Sequence, residues 1–177
     1  MPSDDAARMH LLAQAEELLI ARVEFAAVSA GMLELEVRSH PPARLSCSQF
    51  VRYVLERAFP KCDWQAVLIC DALRAASHGA AFDLFCGLPP AEPVRTGDLS
   101  FFTRSDVDGS DEWHVMMRAR DPAYLVGSCP LLRGVGTCRF AEYLRMADAD
   151  GRSWVHRGDR RFPIYPFVHF GSGTGSA

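Results

Sequence analysis

The N-terminal part of the chain carries apolar residues at the spacing of a helix. They recur every three or four positions, as a buried helix face requires: Leu11, Leu12, Ala15, Leu18, Leu19, Val23, Phe25 and Ala26. Ser3 or Asp4 can cap such a helix at its start, and Gly31 can end it. The pattern therefore predicts a first helix over residues 4–29.

Two later stretches also have helical periodicity. One covers residues 48–59 and stops at Pro60, and the other covers residues 64–76. The buried stripe of the first of these two helices has four members: Phe50, Val51, Val54 and Leu55. Before it, the segment "MLELEV" alternates apolar and polar residues until Pro41 and Pro42 interrupt it. We expect this segment to be a short strand or an extended loop.

From Asp98 onward the periodicity changes from helical to strand-like. Short apolar or alternating runs are separated by turn-forming clusters: "DLSFFT", "WHVMMRA", "AYLVGSC", "GVGTCRFAEYL" and "RRFPIYPFVHF". Helices that come first and strands that follow predict an α+β fold, with N-terminal helices packed on a C-terminal antiparallel sheet of about five strands. We expect a single domain over residues 1–170 and a flexible tail over residues 171–177.

Composition and charge narrow the class of protein. The chain has 177 residues, of which 49% are hydrophobic and 23% are charged, and its net charge is −3. These values are ordinary for a globular domain and predict neither a nucleic-acid partner nor a membrane partner. Charged residues interrupt every apolar run near the N-terminus, so we expect no secretory signal. The expected location is the cytoplasm, or outside the cell after export by a route that reads no such signal.

Six cysteines raise the question of metals and disulfides. They form no CxxC pair and have no companion histidine at zinc-finger spacing, so we expect neither a metal nor a cofactor. A disulfide framework is not expected in a chain of this length without a signal. A single disulfide such as Cys129–Cys138 stays open at this point.

Cys47 is the cysteine whose position favours reactivity. It lies between Ser46 and Ser48, where a polar stretch turns into the second helix. A helix N-terminus stabilises a thiolate through its unpaired N–H groups and its dipole. A nucleophilic thiol also needs a base, and His114, which opens the apolar run "HVMM", can project from a strand end. The alternative is a small, buried and unreactive cysteine, which is the commoner role of this residue.

Three segments around these residues resemble a known family. "CSQFVRYVLERAF", "RTGDLSFF" and "WHVMM" follow the order of the NlpC/P60 peptidases, in which a "DCSG(F/L)V" helix carries the cysteine, a "PGDLVFF" strand follows and an "HVGIY" strand carries the histidine. The resemblance covers roughly residues 45–129. It implies a papain-like fold and a cysteine peptidase or amidase, with Cys47 as nucleophile and His114 as general base. It also implies that the backbone N–H of Cys47 helps to hold the oxyanion.

The chain departs from the family at several positions. Ser46 replaces the family's aspartate, which helps to bind the free amine of the substrate, while Ser48 keeps the second residue of that amine site. Gln49 replaces a glycine, and the family's "PYxxGG" segment is missing. The polar residue that orients the histidine falls on Val126, so Ser128, two residues on along the same strand face, is the candidate third catalytic residue.

The sequence leaves three functions open. The first is cleavage of an amide bond in a peptidoglycan stem or cross-link peptide, with a peptide or peptidoglycan fragment as the substrate. A looser similarity of "LVGSC" and "GVG" to amidase toxins delivered by type VI secretion is compatible with this function in a chain without a signal. The second is hydrolysis of an intracellular amide, ester or isopeptide by the same two residues. The third is a non-catalytic binding domain. Trp113 can line a substrate groove in either enzyme, or simply pack in the core.

Overall fold

The computed structural model describes residues 4–26, 40–60, 90–105, 111–151 and 154–161. Within these residues the protein is α+β, as predicted, with three helices and a seven-stranded mixed sheet. The helices are α1 (Asp4–Ile20), α2 (Cys47–Ala58) and α3 (Phe140–Ala149). The strands are β1 (Glu24–Phe25), β2 (Arg44–Leu45), β3 (Leu99–Ser105), β4 (Asp111–Arg118), β5 (Tyr124–Cys129), β6 (Gly134–Arg139) and β7 (Val155–Arg160). A 3-10 turn, Pro130–Leu132, joins β5 to β6.

The sheet is larger than the five antiparallel strands expected from the sequence. Its order is β2-β1-β6-β5-β4-β3-β7, and β1 pairs with β2 in parallel while the other pairs are antiparallel. The five longer strands, β3 to β7, equal the number of strands expected from the sequence. The two extra strands have only two residues each, too few for an alternating pattern to reveal them.

The sheet separates two cores. The α2-side core lies between the sheet and helices α1 and α2, and its sheet residues include Phe101, Val115, Met117 and Val126. The α3-side core lies on the opposite face and comprises Phe102, Met116, Leu125, Cys129, Cys138, Tyr143, Ala147 and Trp154. Successive strand residues point to opposite faces. Val115 therefore belongs to the α2-side core, and its neighbours in β4 face α3.

Helix α2 forms where its apolar stripe predicts it. All four stripe residues are buried in the α2-side core. The helix starts at Cys47 because Ser46 caps it: the Ser46 hydroxyl accepts the N–H of Gln49, and the Gln49 side-chain oxygen accepts the N–H of Ser46 at 2.8 Å. The segment "SCSQ" is thus a capping box, which satisfies two otherwise unpaired backbone donors.

Helix α1 is shorter than predicted. It ends at Ile20 rather than Ser29, because the chain turns at Arg22, where φ is 54°, and then enters β1. The apolar residue Phe25, which extended the helical pattern, lies in that strand and pairs with Leu45 of β2. Tertiary pairing here overrides the local periodicity.

Helix α3 is absent from the order of elements predicted from the sequence. The run "GVGTCRFAEYL" was expected to be a strand, but only its first half is β6, and α3 begins at Phe140. Strand β7 also comes earlier than the expected last strand. The predicted helix over residues 64–76, the segment "MLELEV", most of "RRFPIYPFVHF" and the tail over residues 171–177 lie outside the described residues. No helix in the described ranges is both long and apolar enough to cross a membrane.

The turn before β3 fastens α1 to the sheet. Gly97 adopts the left-handed φ of 83°, and the carboxylate of Asp98 accepts hydrogen bonds from the Arg8 guanidinium at 2.8 Å and from the N–H of Arg95 at 2.8 Å. Arg8 also donates to the carbonyl of Thr96. The "GD" of "GDLSFF" is therefore a structural feature: glycine makes the turn, and aspartate pairs with a buried arginine.

Candidate active site

The start of α2 lies against the place where two central strands separate. Strands β4 and β5 pair only between Met117 and Val126 and between Arg118 and Leu125. From Gly127 to Cys129, β5 still pairs with β6 but no longer pairs with β4. Helix α2 packs on both strands. The opening between β4 and β5 is therefore filled from one side by the residues that begin α2.

Cys47 is the first residue of α2 and is partly exposed. Burial of its sulfur is the dominant influence on the thiol and raises its pKa from 9.0 to about 11. The backbone N–H groups of Val115, Ser48 and Cys47 itself act in the opposite direction, because they stabilise the thiolate. The thiol thus lies against the main chain of β4, at the residue that follows His114.

His114 lies on the α3 side of the sheet, within a group of aromatic rings. Its side chain is buried, and its ring stacks on Tyr143 with a centroid separation of 5.9 Å and an interplanar angle of 20°. Trp154 and Phe102 flank it at 5.6 Å and 6.3 Å between centroids. The structure therefore brings Cys47 to the backbone beside His114, while the imidazole packs with the α3-side core.

Ser128 is placed differently from a residue that orients an imidazole. It is fully buried in β5, and its hydroxyl donates to the carbonyl oxygen of Leu45 at 2.5 Å. Leu45 precedes Cys47 by two residues. The hydroxyl proton of Ser128 is thus used to hold the chain that enters α2, and Ser128 lies on the α2 side whereas His114 lies on the other.

The residues expected to bind substrate are only partly described. Ser48 is buried, and its hydroxyl lies 3.2 Å from that of Ser46. The Ser46 hydroxyl is also the helix cap. The main chain of Trp113 belongs to β4, but its side chain lies outside the part of the structure that is described.

Tyr143 is the residue of this site that the sequence did not indicate. It comes from α3, is fully buried, and its hydroxyl lies 3.9 Å from the sulfur of Cys129. Burial raises the pKa of Tyr143 well above its ordinary value, and the sulfurs of Cys129, Cys47 and Cys138 act in the same direction. No local pattern reveals this residue, because its position depends on how α3 packs across the sheet.

The cysteines in the described residues are free thiols. Cys47, Cys129 and Cys138 form no disulfide. Cys129 pairs with Gly134 and Cys138 with Leu125, so the two cysteines are separated by four residues along the strands, about 13 Å. A disulfide needs α-carbons within about 7 Å. The pair Cys129–Cys138 is therefore excluded in this fold. Among the described residues, no group of three or more potential ligands can hold a metal ion.

No family model, curated protein or solved structure matches the chain.

Proposed function

We propose that the protein is a cysteine hydrolase that cleaves an amide bond, with Cys47 as nucleophile and His114 as general base. The observation that carries the proposal is the position of the Cys47 sulfur. It lies at the N-terminus of α2, against the backbone N–H of Val115, where β4 and β5 separate. This position combines a helix N-terminus, a neighbouring histidine and an opening between strands.

The chemistry requires that the thiol and the imidazole meet at this opening. His114 takes the thiol proton, and the thiolate attacks the carbonyl carbon of the scissile amide. The backbone N–H of Cys47 stabilises the oxyanion that forms. The carbon–nitrogen bond then breaks, the leaving amine receives the proton from His114, and water hydrolyses the thioester to regenerate the thiol and release a carboxylic acid.

The proposed substrate is a peptidoglycan stem or cross-link peptide. The resemblance of the cysteine and histidine segments to the NlpC/P60 peptidases supports this class, and Ser48 keeps one residue of that family's amine site. A second substrate class, an intracellular amide, ester or isopeptide, is favoured by Ser46. Its hydroxyl caps α2 and offers no carboxylate to a substrate ammonium group, so a charge-assisted hydrogen bond is missing.

A non-catalytic binding domain is the competing function outside enzymes. Two observations favour it: burial holds the pKa of the Cys47 thiol at about 11, and the His114 ring packs between aromatic side chains. A thiol in this state is almost entirely protonated at neutral pH. The two functions therefore differ in the pH at which Cys47 reacts.

Alkylation of Cys47 by iodoacetamide tests this difference without assuming a substrate. The native protein is treated briefly between pH 5 and 9, and labelling of each cysteine is located by mass spectrometry. An imidazolium partner lowers the pKa of a thiol below the value of about 11 that burial sets for Cys47. If the enzyme proposal holds, we therefore expect Cys47 to label well below pH 8, and this reactivity to be lost in His114→Ala. Labelling that keeps rising up to pH 9 without a plateau, and is the same in both proteins, would contradict the enzyme.

Digestion of purified peptidoglycan tests the substrate class. We expect new amine and carboxylate ends in the stem or cross-link peptides, detected by chromatography and mass spectrometry, and no products with Cys47→Ala. If the Cys47 thiol labels at low pH but peptidoglycan stays intact, the second substrate class gains support. Model amides, esters and isopeptides are then the substrates to compare.

A further inference from the structure

Tyr143 contacts the proposed site from the face of the sheet opposite α2. Its ring and the His114 ring are 5.9 Å apart and nearly parallel, at 20°. It also packs against Phe102 with a centroid separation of 5.0 Å. Tyr143 has no exposed surface, so this arrangement has little freedom to change.

The hydroxyl of Tyr143 lies among sulfur atoms. The thiol of Cys129, from β5, donates to it at 3.9 Å. Cys47 from α2 and Cys138 from β6 are close enough for their charged forms to act on the phenol. Tyr143 is thus in contact with His114 and lies near the Cys47 sulfur, although α2 and α3 lie on opposite sides of the sheet.

We propose that Tyr143 is a positioning residue that fixes the His114 imidazole by ring stacking and thereby sets how well it pairs with the Cys47 thiol. This inference rests on the proposed function. Aromatic rings in contact prefer offset-stacked or edge-to-face arrangements, and such a pair is stabilised beyond the burial of its area. The ring of Tyr143 carries this role, and its hydroxyl mainly satisfies the Cys129 thiol.

The test compares two substitutions that separate the ring from the hydroxyl. Tyr143→Leu removes the ring that stacks on His114, whereas Tyr143→Phe keeps it. Leu125→Ala is the matched control. Leu125 is a fully buried member of the same α3-side core, and it lies in β5 beside Arg118, four residues along β4 from His114. The measurement is the rate of Cys47 alkylation between pH 5 and 9, alongside thermal unfolding of each variant.

We expect Tyr143→Leu to lower the alkylation rate at pH 6 about tenfold, which corresponds to a rise of one unit in the pKa of the thiol. Tyr143→Phe should restore most of the wild-type profile. Leu125→Ala should destabilise the protein without moving the profile. A general loss of packing would move the profile in Leu125→Ala as much as in Tyr143→Leu, and that outcome would overturn the inference.

The wild-type profile separates this inference from the proposed function. If wild-type Cys47 shows no reactivity that depends on His114, the proposed function fails. If that reactivity is present and Tyr143→Leu leaves the profile unchanged, the hydrolase stands and the role of Tyr143 is refuted. Should Tyr143→Leu not fold, Tyr143→Met supplies a second ring-free variant, with Tyr143→Phe again as the rescue.

Discussion

The hydroxyl of Ser128 links β5 to the segment that leads into α2 by a hydrogen bond. It donates to the carbonyl of Leu45, and both residues are fully buried. A buried carbonyl that loses its partner costs about 1–3 kcal/mol. We therefore expect Ser128→Ala to lower the free energy of unfolding by that amount, measured by urea denaturation.

Thr96→Val is a suitable control for Ser128→Ala. The Thr96 hydroxyl also donates to a backbone carbonyl, that of Arg120, but at an exposed position where water can replace it. We expect this variant to change the free energy of unfolding by less than about 0.5 kcal/mol. Equal costs for the two variants would mean that burial of the Leu45 carbonyl does not matter.

At the level of single residues, the sequence located the candidate nucleophile but not its surroundings. Cys47 was recognisable because its neighbours are helix-capping residues. Ser46 and Gln49 looked like departures from a family motif, and the structure gives their reason: together they form the capping box of α2. Tyr143 could not be predicted, because a buried tyrosine in a helix has the same pattern whether or not a histidine lies beneath it.

Helix α1 is joined to the sheet by a buried ion pair. The side chains of Arg8 and Asp98 are 3% and 0% exposed, and their N–O distance is 2.8 Å. Removing Asp98 leaves the buried Arg8 guanidinium with Asp4, 3.0 Å away and partly exposed, as its remaining ionic partner. Breaking a buried ion pair in this way costs about 3–5 kcal/mol. We expect Asp98→Ala to lose about this much free energy of unfolding, and the double variant Arg8→Met with Asp98→Ala to recover part of it.

A second ion pair of α1 provides the control. Glu16 and Arg120 are 3.0 Å apart, but their side chains are 40% and 60% exposed. Exposed pairs contribute at most about 1 kcal/mol, so Glu16→Ala should have a small effect in the same urea titration. If Asp98→Ala costs no more than Glu16→Ala, the "GD" turn does not anchor α1.

At the level of elements, the prediction from the sequence succeeded where an element was long enough and its apolar residues were regularly spaced. Helix α2 and strands β3, β4 and β5 have clear patterns, and their ends were predicted to within a few residues. The end of α1 was missed because apolar residues continue at helical spacing into β1. Helix α3 was missed because the apolar run that begins it follows β6 directly, with Arg139 as an N-cap residue that makes no side-chain hydrogen bond.

Across the whole molecule, the start of α2 is tied to the sheet through its two shortest strands. Gly134 of β6 pairs with Cys129 on one side and with Glu24 of β1 on the other, and β1 pairs in turn with β2. Strand β2 ends at Leu45, directly before the helix cap. The position of the proposed nucleophile therefore depends on a contact between β6 and β1.

The strands approach each other so closely at Gly134 that no residue with a side chain fits at this position. A β-carbon there would lie 2.3 Å from the carbonyl oxygen of Val23, which accepts the N–H of Val135 at 2.8 Å. We expect Gly134→Ala to cost more than about 4 kcal/mol, because the clash is with backbone atoms. Gly158→Ala is the control: its φ of 121° disfavours a side chain, as the φ of 155° does at Gly134, but a β-carbon at Gly158 would meet nothing within 4 Å. That variant should cost about 1–3 kcal/mol.

Hydrogen exchange can show whether this damage reaches the candidate site. In Gly134→Ala we expect faster exchange in peptides covering β1, β2 and the start of α2, since β1 must move away from β6. Gly158→Ala should affect β7 and β3 instead, because Gly158 pairs with Phe101. Equal protection around Cys47 in both variants would mean that α2 is held by its contacts with β4 and β5 alone, and that β1 and β2 contribute nothing to the placement of the thiol.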